Sequence, residues 1–230
     1  MQNILLLHGA IGSSVQLEPL ANLLTDSFKI NLLNFSGHGG KSIPAQPFSI
    51  KMFAKDVLYF IDRNKLRKIN IYGYSMGGYV ALYIAMNYPE KVNRVFTTAT
   101  KFYWNEKTSL KESERFDAEK ISEKIPKFAE QLAHRHSPED WKIVLKKTAE
   151  MMINLGKDSS LKPEDFSAIE NSVLVSVGDR DTMVSIEETV EVYRKLKNGS
   201  LLILPDTPHP IEKISIERLS YEIKLFFCLE

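Results

Sequence analysis

Five residues able to do acid–base or nucleophilic work fall just past the ends of apolar, strand-like runs: His8, His38, Ser75, Asp181 and His209. Ser75 has the most restrictive setting, Gly73-Tyr74-Ser75-Met76-Gly77-Gly78. A serine hydroxyl is a poor nucleophile at neutral pH. It needs a base within hydrogen-bond reach, and the base needs a carboxylate to fix its tautomer. The chain offers both late in its length: acids in Gly178-Asp179-Arg180-Asp181 and at Asp206, and an imidazole in Pro208-His209-Pro210. The chemistry open to such a set is attack of an alcohol oxygen on a carbonyl, with proton transfer through the imidazole.

The elements that must position these residues can be read from the same sequence. Ile69, Ile71 and Tyr72 give β-branched and aromatic bulk to a strand that leads into Ser75, and Val80, Ala81, Ile84 and Ala85 follow at helical spacing. A strand that feeds a helix so quickly needs a strained turn, and glycines on both sides remove the Cβ atoms that would clash. This is the G-x-S-x-G nucleophile elbow in its strand–turn–helix context. It predicts an exposed Ser75 whose N–H sits at a helix N-terminus, where negative charge is stabilised.

Asn3–Leu7, Phe28–Asn34, Val92–Thr98, Ser172–Val177 and Ser200–Leu204 read as further strands, each followed by a loop and a helix. Ser13/Gln16 and Ser185/Glu188 are spaced as capping boxes, and Ile50, Phe53, Ala54, Val57 and Ile61 form one apolar stripe. The last helix is expected from about Ile211 to Phe227. Such alternation predicts a parallel sheet with helices on both faces, and ligands outside the carboxyl ends of its strands.

From Lys101 to about Phe166 charged residues crowd in and β-branched runs vanish. Ser137-Pro138-Glu139-Asp140 predicts a helix start, and Gly156 its stop. Sixty-odd residues of helix exceed an ordinary crossover, so residues 101–166 are expected to form an inserted all-helical cap. Residues 1–100 and 167–230 then form the two parts of an α/β core.

Composition narrows the classes. A chain of 230 residues, 43% hydrophobic and 26% charged, can bury a sizeable core, and a net charge of +1 gives no reason to expect nucleic acid or an anionic membrane as partner. The single cysteine, Cys228, excludes an internal disulfide framework and is expected as a buried thiol in a reducing compartment. Ile4–Leu7 is too short to span a bilayer and has no basic segment before it, which predicts a cytoplasmic protein.

Taken together, the chain resembles the α/β-hydrolase family along nearly its whole length. His8-Gly9 is similar to the family's oxyanion-loop motif, and Asn34-Phe35-Ser36-Gly37-His38-Gly39 to its D-x-x-G-H-G loop. The elbow around Ser75, the acid turn at Gly178–Asp181 and the late Pro208-His209 follow in the family's order of serine, acid and histidine. The resemblance implies Ser75 as nucleophile, His209 as general base and then acid, and Asp181 as the orienting carboxylate. Asp179 is the rival acid, expected to point into solvent or a local turn. The oxyanion hole is expected from the backbone N–H of Met76 and of Ala10, with Ile11 the second choice for the latter. Neither cofactor nor metal is implied.

The remaining histidines are read as bracing. His8 is expected to shape the oxyanion loop and His38 its turn, while His134 and His136 are expected as solvated cap residues. Gly37–Ser42 lacks the glycine spacing of a phosphate loop. Three departures stand out: Asn34 for aspartate, Ser36 for proline, and Pro208 for the glycine before the histidine. The family's leading antiparallel strands are not seen ahead of Asn3, so about six strands are expected.

The implied function is hydrolysis of a small carboxylic ester or thioester through an acyl-enzyme. The alternatives are a lyase of the menaquinone-pathway type, which a basic cap pocket would favour, and a ligand-binding receptor on the same fold. Phe102, Tyr103, Trp104, Trp141, Met151 and Met152 are candidates either for an acyl pocket or for cap core. Lys101, Arg115, Lys124 and Arg135 leave charged substrates open.

Overall fold

The structure, a computed structural model, describes residues 1–228. Its elements in chain order are β1 (Gln2–Leu7), α1 (Glu18–Asn22), β2 (Phe28–Leu33), α2 (Ile50–Arg63), β3 (Ile69–Tyr74) and α3 (Met76–Asn87). There follow β4 (Val92–Thr98), α4 (Glu106–Ser113), α5 (Ala118–Lys124), α6 (Pro126–His136) and α7 (Trp141–Lys157). The chain returns to the sheet with β5 (Ser172–Gly178), α8 (Ile186–Lys195), β6 (Gly199–Leu204) and α9 (Ile216–Cys228). The strands form one six-stranded, all-parallel sheet in the order β2-β1-β3-β4-β5-β6. β3 therefore lies inside the sheet, with every residue from Ile69 to Tyr74 buried.

Successive side chains of a strand point to opposite faces, and the core divides accordingly. Leu5, Leu7, Ile69 and Ile71 pack with the stripe of α2 and with Val80, Leu82 and Ile84 of α3. Ile4, Leu6, Tyr72 and Tyr74 pack on the other face with Leu17, Leu20 and Leu24 around α1 and Leu219, Ile223, Phe226 and Phe227 of α9. A third, smaller cluster of Ile121, Leu132, Trp141 and Leu145 holds α5, α6 and α7 together between β4 and β5.

Several local expectations are corrected. The long helix starts at Asp140, whose carboxylate accepts from Lys142 N at 2.9 Å, and Ser137 instead closes α6. Gly156 does not stop α7, which runs to Lys157; a Cβ there would stand 2.0 Å from Ser109 Oγ, so the glycine lets α4 lie directly on α7. The final helix begins at Ile216, after a short 3-10 turn at Ile211–Lys213. Cys228 is exposed. It follows Phe227 by about 100° around α9, away from the face that carries Phe226 and Phe227 into the core. The last two residues of the expected segment 167–230, Leu229 and Glu230, lie outside the described residues.

Candidate active site

Ser75 sits between the last residue of β3 and the first of α3, with φ 51° and ψ −117°, a backbone conformation that L-residues rarely adopt. Two contacts explain the flanking glycines: a Cβ on Gly73 would lie 2.5 Å from the Gly77 backbone, and one on Gly77 would lie 2.5 Å from Leu7 O. The turn is held by Ser75 N donating to Thr98 O at 2.9 Å and Thr100 Oγ1 donating to Ser75 O at 3.1 Å. Gly78 N and Tyr79 N both donate to Ser75 O. Among the described residues the Met76 N–H, first in α3, has no partner. A helix opens with such free donors, and they favour an anion.

On the far side of β4, the turn after β5 carries the two candidate acids, and they have different surroundings. Asp181 Oδ1 accepts from Met183 N at 2.8 Å and Val184 N at 2.9 Å, while Oδ2 lies 2.7 Å from His209 Nδ1. The Asp181 side chain has no exposed surface. Asp179 is exposed and accepts from Thr207 N at 3.1 Å, within the turn that leads to His209. His209 is fixed from a second side by Tyr74, whose hydroxyl donates to its carbonyl at 2.9 Å. Burial raises the Tyr74 phenol well above its ordinary range, so it stays a donor.

Ser75, His209, Ala10, Met152 and Met183 border two cavities at once. An inner chamber of about 40 Å³ continues along Ile50, Met76, Tyr79, Lys101, Trp104, Glu112, Met151, Leu155 and Val184. An outer vestibule of about 260 Å³ opens along Gln16, Phe116, Phe128, Arg135 and Glu212. Among the described residues the Ser75 hydroxyl makes no hydrogen bond; such bonds are often long before substrate binds and tighten in the complex. Of the apolar pocket candidates, Trp104, Met151 and Met152 line the chamber, whereas Phe102 and Trp141 are buried in the packing clusters. Lys101 borders the chamber and Arg135 the vestibule.

The loop after β1 is shaped by three neutral histidines. His8 Nδ1 donates to Gly9 O at 2.8 Å and Nε2 accepts from Phe35 N at 3.3 Å. Its ring is buried and its pKa falls to about 3, chiefly because burial disfavours the cation. His38, whose ring lies 5.3 Å from that of His8 and tilted by 41°, is lowered for the same reason.

His136 corrects the expectation of a solvated residue: it has no exposed surface, while His134 is exposed. His136 Nε2 donates to Ile11 O at 3.0 Å and Nδ1 accepts from Gly39 N at 3.2 Å, and burial lowers its pKa to about 4. Arg135 donates to the same Ile11 carbonyl at 3.1 Å. Ile11 has positive φ, and α6 thus reaches over the sheet to grip this loop. Asn34, in place of aspartate, uses both halves of its amide: Oδ1 accepts from Ser14 N at 2.6 Å and Nδ2 donates to Gly39 O at 3.3 Å.

Glu188 also departs from its expected role. Its N–H donates to Ser185 Oγ at 3.1 Å, but its carboxylate reaches away to accept from Phe102 N at 2.6 Å and Tyr103 N at 2.8 Å. Lys101 Nζ joins it at 3.4 Å and donates to Met183 O at 3.1 Å, tying the exit of β4 to the turn that holds Asp181.

The sequence profile of the alpha/beta hydrolase fold matches residues 2–143, and the chain belongs to this family. Among curated proteins, a putative 2-succinyl-6-hydroxy-2,4-cyclohexadiene-1-carboxylate synthase of Bacillus subtilis is 36% identical over 101 residues, which is 42% of this chain and 36% of that protein. The human serine hydrolase BPHL is 23% identical over 215 residues, covering 90% of this chain and 72% of its own. The matches to the first three curated relatives span only 36%, 26% and 28% of their lengths. The solved enol-lactonase of Burkholderia xenovorans superposes with a TM-score of 0.81 at 17% identity, over 99% of this chain and 92% of that one. Among the described residues no helix is long and apolar enough to cross a membrane.

Proposed function

We propose that the chain is a serine hydrolase that cleaves a short carboxylic ester or thioester through an acyl-enzyme on Ser75. The observation that carries this reading is the Asp181–His209 pair at 2.7 Å beside an elbow serine on a shared cavity wall. Asp181, saturated by two N–H groups and one imidazole N–H, holds the proton on Nδ1 and leaves Nε2 to take the proton of Ser75. Ser75 Oγ then attacks the acyl carbon. The resulting oxyanion is received by the Met76 and Ala10 N–H groups, each worth roughly 3–4 kcal/mol of barrier in comparable sites. His209 returns the proton to the leaving group, which departs through the vestibule, and water clears the acyl-enzyme by the reverse sequence.

The helices α4–α7 serve as a cap, and the inner chamber as the acyl pocket. At about 40 Å³ the chamber has room for on the order of three waters, the size of a short acyl chain. Several curated relatives carry names of ester chemistry, among them a pimeloyl-[acyl-carrier protein] methyl ester esterase of Neisseria meningitidis and a 3-oxoadipate enol-lactonase of Acinetobacter baylyi.

A second reading, elimination by proton abstraction with the same three side chains, has the Bacillus subtilis relative in its favour. The chamber weighs against it, because its lining is largely apolar and Lys101 is already engaged by Glu188 and Met183. Turnover of a panel of acyl esters and acyl thioesters by wild type beside Ser75→Ala separates the readings. Ester cleavage that vanishes in the variant supports hydrolysis, and labelling of Ser75 by a fluorophosphonate without turnover of any ester supports the lyase.

A further inference from the structure

Helix α4 is built against the usual pattern. It exposes Leu110 at 55% of its surface and buries Glu112 at 2%. Ser109 and Glu112, three residues apart and so on one face, are the residues of this helix turned inward, and the absence of a side chain at Gly156 lets that face lie on α7. A sequence that hides a carboxylate and displays a leucine pays in stability, and such violations of local consistency mark functional positions.

The carboxylate is also poorly partnered. Arg115 Nε lies 3.2 Å from Oε2 but without the alignment of a hydrogen bond, and the Arg115 side chain is 44% exposed. Among the described residues neither oxygen of Glu112 accepts a hydrogen bond, and Oε2 is sealed from solvent. Trp104 Nε1 is a second buried polar atom with no partner, and Trp104 and Glu112 border the same chamber as Ser75. The other groups of that chamber able to carry charge are spoken for: Lys101 by Glu188 and Met183 O, and the His209 Nδ1 by Asp181. A desolvated carboxylate in a largely apolar acyl pocket strongly favours a ligand that brings a hydrogen-bond donor and rejects one that brings a negative charge.

We infer that Glu112 is a specificity residue of the acyl pocket and that the substrate carries a hydroxyl on its short acyl chain. This rests on the esterase reading above. With Arg115 close to Oε2 the local charge is partly balanced, which suits a neutral hydroxyl better than an ammonium group.

The test compares kcat/KM for the p-nitrophenyl esters of butyrate, 3-hydroxybutyrate, 3-aminobutyrate and the succinate half-ester. For wild type the hydroxylated ester is expected to exceed butyrate by about tenfold or more, the range of a hydrogen bond to a charged group, with the succinate half-ester lowest. In Glu112→Met the hydroxy-to-butyrate ratio falls to about one, and in Glu112→Gln, which keeps an acceptor, it is retained in part.

Butyrate turned over as well as 3-hydroxybutyrate by wild type overturns the inference while leaving the esterase reading intact; this arm needs no variant to fold. A preference for the amino ester over the hydroxy ester overturns the choice of ligand, and a ratio unmoved in folded Glu112→Met overturns the role of the residue. Turnover of none of the four esters, with Ser75 unlabelled by a fluorophosphonate, removes both readings together.

Discussion

Two aspartates two residues apart in one turn have opposite surroundings, and they provide a sharp residue-scale test. Asp181 spends both oxygens on the Met183 and Val184 N–H groups and on His209, whereas Asp179 reaches only Thr207 N from an exposed position. Asp181→Asn is expected to lower kcat by about 10⁴-fold, since the amide would favour the wrong imidazole tautomer. Asp179→Ala is expected to cost less than about tenfold, because it touches only the turn before the histidine. Steady-state kinetics on one ester checks both, and the reverse ordering contradicts the assignment. The place of both acids, in the turn after β5, was legible because an apolar run ends there at a glycine. Glu112 was not: its helix is so polar that sequence gives no reason to prefer a buried Glu112 over a buried Leu110. His136 was misread for a related reason, since its partners, Gly39 N and Ile11 O, are backbone groups 97 and 125 residues away.

Elements were legible in proportion to how local their signals are. The strand that ends at Ser75 and the helix that follows it depend on apolar runs and on glycines whose purpose is close backbone approach. Gly77→Ala is therefore expected to destabilise the fold by roughly 3 kcal/mol or more, because its Cβ would meet Leu7 O at 2.5 Å, a backbone atom that cannot turn away. The urea midpoint measures this, and a loss under about 1 kcal/mol would contradict it. Gly156→Ala acts elsewhere: its Cβ would press on Ser109 Oγ and the Asn105 carbonyl, pushing α4 off α7 where the inner chamber is walled. The expected signature is a changed KM for short acyl esters at a stability loss of about 1–3 kcal/mol, while an unchanged KM would contradict the place given to α4. Gly156 read as a helix stop in sequence because a close helix–helix contact leaves no local trace.

At the scale of the whole molecule, the helical segment and the sheet are joined through buried neutral histidines, and this gives stability a pH dependence. Free histidine titrates near 6.5, but burial holds His8 down to about 3 and His136 to about 4 in the fold. Below pH 6.5 the unfolded chain binds protons that the folded chain refuses. Stability is therefore fully present above 6.5 and is lost as the pH falls from there towards 4, by about 1.4 kcal/mol per pH unit for each such histidine. Urea midpoints between pH 7 and 4.5 are expected to fall, and His136→Gln to flatten the slope; an equal slope in the variant would contradict the linkage. The alternation of strands and helices fixed the parallel sheet and its six strands from sequence, because period and order are local, whereas the grip of α6 on the loop at Ile11 depends on tertiary contact. The proposed hydrolysis turns on Ser75 becoming acylated. Intact-mass spectrometry of the protein quenched during turnover of a short acyl ester, and after reaction with a fluorophosphonate, tests it most directly. One adduct of the acyl or phosphonyl mass is expected, mapped to Ser75 and absent from Ser75→Ala; ester cleavage that persists in Ser75→Ala, or an adduct on another residue, would rule out an acyl-enzyme on Ser75.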